Sequence, residues 1–146
     1  MMRSKQISAG LSMAVLVIVT GAGFILWDMH RLDRDFSNLH SILKSARLDA
    51  IFKDTTIVVN FNDKIVTVTD QKDQTNLTAT IPSMGKVDYD TTIGKDMIVY
   101  TWRGTSDYNK KIHGGEIMLK SLLGLHRYLH VNCTGMVREG RYPEGS

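Results

Sequence analysis

Gln6-Ile7-Ser8-Ala9-Gly10-Leu11-Ser12-Met13-Ala14-Val15-Leu16-Val17-Ile18-Val19-Thr20-Gly21-Ala22-Gly23-Phe24-Ile25-Leu26-Trp27 contains no charged side chain, and its reading decides the fold. Crossing hydrocarbon takes about 20 mostly apolar residues in a helix, because every backbone polar group must be satisfied within the segment. This run is long enough. Its small residues (Ala9, Gly10, Gly21, Ala22 and Gly23) leave room for close helix contacts, and Trp27 suits a membrane interface. The rival readings are a buried core helix and a cleaved signal peptide. A chain of this size rarely surrounds so long a charge-free helix with protein. A signal peptide has a shorter apolar core and a small-residue exit, whereas here the apolar run continues past Gly21-Ala22-Gly23 to Trp27. A retained membrane helix is the reading carried forward.

Flanking charge orients it. Arg3 and Lys5 precede the run, and Asp28, His30, Arg31, Asp33, Arg34 and Asp35 follow as a balanced mixture. Basic flanks stay cytoplasmic, so the expectation is a single pass through a bacterial inner membrane, with the N-terminus inside and the body in the periplasm. Residues 1–28 then form a basic leader and transmembrane helix, and residues 29–146 an exported domain.

Outward from that run, apolar residues recur at Leu32, Phe36, Leu39, Leu43, Ala46 and Ala50 in alternating steps of four and three, broadened by Ile42 and Ile51. That is an amphipathic helix with one apolar stripe. Between Gly23 and Gly85 the chain has no Pro or Gly except Pro82. Nothing up to Lys53 therefore obliges a break, and one long helix is expected, the upper half covering the domain's own core. After Lys53-Asp54 the texture becomes β-branched. Thr56–Phe61 and Lys64–Thr69 flank Asn62-Asp63 as a hairpin signal. Further strands are expected at Leu77–Ile81, ended by Pro82, and at Met97–Trp102, Glu116–Lys120, Arg127–Asn132 and Met136–Arg138. A helix followed by a run of short strands is an α+β pattern with an antiparallel sheet.

The 146 residues are 42% hydrophobic and 23% charged, with a formal net charge of +3 and one cysteine. One thiol excludes an internal disulfide framework and a multi-cysteine zinc site. No phosphate-binding glycine loop, HExxH or nucleophile elbow is present. His126 and His130 share one face of a strand, but a metal needs further ligands, and Cys133 is the only nearby thiol. Asp88 and Asp90 read as loop solvation. No catalytic residue, cofactor or metal site is therefore expected, and the chain reads as a non-enzyme.

The order of membrane helix, amphipathic continuation and antiparallel sheet resembles type IV pilins and type II secretion pseudopilins. Leu43-Lys44-Ser45-Ala46-Arg47-Leu48-Asp49-Ala50-Ile51 looks like the helix end of the minor pseudopilins of the general secretion pathway H class and of the fimbrial T-type minor pilins. Tyr128-Leu129-His130-Val131-Asn132-Cys133-Thr134-Gly135-Met136-Val137-Arg138 looks like their closing strand, turn and basic ending, with Met136 where the T-type ending has its first Arg. The resemblance implies a pilin-like fold and a structural role in a type II secretion pseudopilus or a type IV pilus. It also implies other pilin or pseudopilin subunits and the inner membrane as partners, and processing by a prepilin peptidase with methylation of the new N-terminus. Gly10-Leu11 is the candidate cleavage site. The fifth mature position is then Val15 where the family carries Glu, which implies poor cleavage. Gly23-Phe24, with Asp28 five along, matches the letters but follows the apolar run instead of preceding it.

Two alternatives stay open. One is a DNA-binding minor pilin for DNA uptake, with Arg127, Arg138 and Arg141, joined by Lys110 and Lys111, as a basic surface for phosphates. The other is an orphan anchored periplasmic domain that shares only the fold.

Overall fold

In the computed structural model the described residues are 2–71, 76–89, 94–107 and 115–140. Helix α1 runs unbroken over Met2–Phe52, as the absence of Pro and of any interrupting turn leads one to expect. Its end is built by three backbone bonds. Lys53 N–H donates to Asp49 O at 2.9 Å, Thr55 N–H to Ala50 O at 3.1 Å and Asp54 N–H to Ile51 O at 3.4 Å. Asp54 takes the left-handed conformation, φ 49°. This is a Schellman-type stop with Asp where glycine is usual. Beyond it the Thr55 hydroxyl lies 3.2 Å from a carboxylate oxygen of buried Asp70, and Lys53 Nζ lies 3.6 Å from the other. That joins the helix end to the first hairpin.

Strands β1 (Ile57–Asn62), β2 (Ile65–Asp70), β3 (Asn76–Thr80), β4 (Met84–Asp88), β5 (Met97–Tyr100), β6 (Ser106–Asp107), β7 (Gly115–Lys120), β8 (His126–Val131) and β9 (Val137–Glu139) follow. They form two antiparallel sheets, ordered β3-β2-β1-β5-β6 and β4-β7-β8-β9, where one sheet was expected. The expected strands are present with small shifts at their ends. The first hairpin pairs Asn62 with Ile65, so its turn is Asp63-Lys64, with Asp63 at φ 53°.

Two strands were not anticipated, β4 and β6. Met84-Gly85-Lys86-Val87-Asp88 contains one β-branched residue and a glycine, and its pairing with β7 slips between Met84 and Val87. Gly85 is there for close approach: a Cβ would lie 2.9 Å from Met118 Cε and 3.1 Å from its carbonyl oxygen. Asp88, expected in a loop, instead ends β4 opposite Glu116. The β6 strand is two residues long and has no periodicity to read.

All six stripe residues, Leu32, Phe36, Leu39, Leu43, Ala46 and Ala50, are buried. They share one core with Ile57, Val59, Phe61, Val66, Ile98 and Tyr100 of the first sheet and with Ile117, Leu119, Leu129 and Val131 of the second. The upper half of α1 is therefore wrapped by two sheets. Ile42 packs partly against this core. Ile51 does not broaden the stripe, being 40% exposed. One residue is about 100° of rotation, which carries Ile51 off the face of Ala50. There it meets the β5–β6 turn, where a Cβ on Gly104 would come within 2.6 Å of Ile51 Cδ1.

Among the described residues, no helix is long and apolar enough to cross a membrane. The side chains of Gln6 to Ser12, Ala14 and Leu16, nine of the 22 residues of the charge-free run, lie outside the described ones.

Candidate assembly surface

Below the domain the described side chains of α1 stand clear of protein. Val17, Ile18 and Val19, then Phe24, Ile25, Leu26 and Trp27, are all exposed. Three successive helical residues point about 100° apart, so a run like this presents apolar surface on every side. Exposed apolar area on this scale marks a contact with lipid or protein.

Where the helix enters the domain, acidic residues join the stripe. Asp28 and Asp35 are spaced to fall in line with Leu32 and Leu39, and both are buried. The Asp28 carboxylate accepts from the backbone amides of Leu122 at 3.1 Å and Leu123 at 3.0 Å. Arg31 lies 3.7 Å from it. Asp35 Oδ2 accepts from the Ser83 amide at 2.9 Å and the Ser83 hydroxyl at 2.7 Å. Higher up, Arg47 Nε donates to the Gly104 carbonyl at 2.8 Å. Along α1 these side chains hold, in turn, the β7–β8 turn, the segment before β4 and the β5–β6 turn, Asp28 and Asp35 from the stripe and Arg47 from the adjacent face that also carries Ile51. Sequence reasoning passed over all three. The available signal was Asp28 and Asp35 sitting in phase with an apolar stripe, where a charge has to be paired or hydrogen-bonded.

Arg127 reaches from β8 across Phe36, its guanidinium carbon 3.8 Å from the ring centroid. It forms ion pairs with Asp33 and Glu139. Burial works against its charge, but Glu139 and then Asp33 hold its pKa above the ordinary arginine value. Arg138 pairs with His130 across β8 and β9, while Glu139 pairs with Leu129. Cross-strand partners share a face, so Arg127 and Arg138 lie on opposite faces of the sheet. The structure does not bring these two members of the expected basic surface together. Arg141, Lys110, Lys111 and Asp90 lie outside the described residues. Gly10 and Leu11 lie within α1, and their side chains are outside the described ones.

His126 and His130 do share a face of β8, the first exposed and the second buried, and Cys133 is exposed in the turn that follows. Among the described residues no group of three or more His, Cys, Asp or Glu side chains is placed to hold a metal ion. In the core, burial and then neighbouring Tyr89 push the Tyr100 hydroxyl well above the usual tyrosine pKa, with Arg47 offsetting them in part.

The sequence matches no protein-family model and no curated protein. Among solved structures, the chain is similar to the type IV minor pilin FimU of Pseudomonas aeruginosa strain PAO1 in two crystal forms. The first, in space group P21, superposes with a TM-score of 0.54 at 13% identity, over 77% of this chain and 90% of that one. The second, in space group P65, gives 0.51 at 13% identity, over 75% and 92%. The fold is that of a minor pilin: a long N-terminal helix packed on antiparallel sheets.

Proposed function

We propose that the chain is a structural minor subunit of a pilin-type filament, held in the inner membrane by α1 before assembly, with its N-terminus cytoplasmic and its domain periplasmic. The observation that carries this reading is α1 itself, whose 51 residues run without a break through an apolar, uncovered stretch at residues 17–27 into the core of a two-sheet domain. That uncovered stretch is unfavourable in water and needs either lipid or the flanks of like helices. A filament supplies the second environment when subunits leave the first, with apolar helices bundled inside and sheet domains outside. Assembly of this kind requires no catalysis.

The similarity to a type IV minor pilin supports a pilus-type assembly component. The DNA-uptake alternative loses support from the engagement of Arg127 with Asp33 and Glu139. A tagged full-length chain, expressed from its own locus, tests the reading. Recovery of the tag in sheared surface filaments together with other pilin-fold subunits is expected. Filaments that lack the tag, and that form unchanged when the chain is deleted, would overturn it.

A further inference from the structure

The turn from β7 to β8, Ser121-Leu122-Leu123-Gly124-Leu125, has an unusual surface. Turns facing water are normally built from polar and turn-forming residues. Here Leu122 is 62% exposed, Leu123 48% and Leu125 44%. The turn is also well tied internally. Ser121 N–H donates to Leu125 O at 2.8 Å, Gly124 N–H to Ser121 O at 3.2 Å, and Leu125 N–H to the Ser121 hydroxyl at 3.0 Å. Gly124 takes φ 85°, which suits glycine. The leucines are thus presented outward by a fixed scaffold.

Its position is equally specific. The Asp28 carboxylate holds the Leu122 and Leu123 amides, and Asp28 is the first residue after the charge-free run. The turn therefore lies level with Leu26, Trp27 and Met29, themselves exposed. At its root Lys120 and His126 face each other across β7 and β8, both exposed. Arg31 stacks over Trp27, 5.4 Å from the ring centroid. Leucines and a tryptophan flanked by cations are the composition of a membrane interface, apolar groups meeting acyl chains and cations meeting lipid phosphates.

We propose that the leucine turn is a second membrane contact, seated in the interfacial layer of the bilayer that α1 crosses and fixing the orientation of the domain before assembly. This rests on the reading of residues 6–27 as the membrane anchor. Lipid is the occupant because the turn is pinned beside the end of that run. A bilayer surrounding the helix there must pass at the level of the turn.

The test uses the full chain with Cys133→Ser, reconstituted in vesicles of phosphatidylcholine and phosphatidylglycerol. Single cysteines at Leu123, Leu26 and Leu48 carry a fluorophore, and lipids with a nitroxide at a shallow acyl position act as quencher. Leu48 is exposed and lies roughly 30 Å farther along the helix than Asp28, at about 1.5 Å per residue. Quenching at L123C close to that at L26C, and several-fold above that at L48C, is expected. Quenching at L26C with L123C no higher than L48C would overturn the leucine contact and leave the anchor standing. Absence of quenching at both L26C and L123C would overturn the anchor. Shielding of L123C from aqueous iodide without lipid quenching would assign the turn to a protein partner and overturn the proposal.

Discussion

Ser83 gives both its amide and its hydroxyl to one oxygen of Asp35, at 2.9 and 2.7 Å, across 48 residues of chain. The pair is buried, so neither donor has water to fall back on. Asp35→Ala is expected to destabilise by about 3 kcal/mol, combining a lost charged hydrogen bond with stranded donors. Asp35→Asn keeps an acceptor oxygen and is expected to cost roughly half of that. Chemical denaturation of the two variants checks the order, and equal losses would mean the carboxylate acts through something other than Ser83.

Helix positions on and off the stripe should separate cleanly. Leu43 is fully buried and Leu48 is exposed. Leu43→Ala is expected to cost about 2–5 kcal/mol through lost contacts and a cavity, and Leu48→Ala less than about 0.5 kcal/mol. Leu43→Asp, which buries an unpaired charge, should unfold a domain whose total stability is about 5–15 kcal/mol. Thermal melts of the three variants suffice, and a parental melting temperature for Leu43→Asp would remove the stripe from the core.

The Thr134-Gly135 turn tolerates no side chain at its second residue. Gly135 has φ 76°, and a Cβ there would lie 2.1 Å from the Gly104 carbonyl oxygen. That is the oxygen that accepts from Arg47. Gly135→Ala is expected to cost more than about 2 kcal/mol, since strain and lost packing act together. Gly124→Ala, at φ 85° but with open space around it, carries the backbone term alone and should cost about 1 kcal/mol. Similar losses in the two would show that the Gly104 approach is not restrictive.

Among the described residues the buried Tyr100 hydroxyl has no hydrogen-bond partner. Removing an unpaired buried polar atom takes away a penalty and little else. Tyr100→Phe is therefore expected to leave the melting temperature unchanged or raise it, by up to about 1 kcal/mol of stability. A loss above that size would reveal a partner for the hydroxyl.

Most of the fold was legible because it rests on periodicity. The four-and-three steps from Leu32 to Ala50 specify a buried helical face, and the β-branched runs around Asn62-Asp63 specify the hairpin. The division into two sheets was not legible. It depends on β7, β8 and β9 pairing with one another and not with β5 or β6, and on β4 joining them through a slipped register and a glycine approach to Met118, none of which leaves a pattern in the sequence. Of the candidate basic surface, residue types alone suggested clustering. Strand parity then separates Arg127 from Arg138, and the carboxylates of Asp33 and Glu139 come from distant parts of the chain. Asp28 and Asp35 were visible as charges in phase with the stripe. Their partners, Leu122, Leu123 and Ser83, belong to turns whose placement follows only from the folded sheets.

Processing is where this chain departs most from the pilins it resembles. With Val15 at the fifth position after Gly10-Leu11, cleavage is expected to be slow or absent, so mass spectrometry of the membrane-extracted protein should find chiefly the uncut chain. A dominant species beginning at Leu11, especially an N-methylated one, would contradict that expectation while strengthening the assignment to pilins.

The most direct measurement places the uncovered stretch of α1, residues 17–27. With Cys133→Ser, a single cysteine replacing exposed Val17 is cross-linked in cells, and the adducts are identified in sheared filaments. Adducts to the N-terminal helices of other pilin-fold subunits within the filament fraction are the expected result. Adducts confined to the membrane fraction, with none of the chain in filaments, would contradict the assembly role.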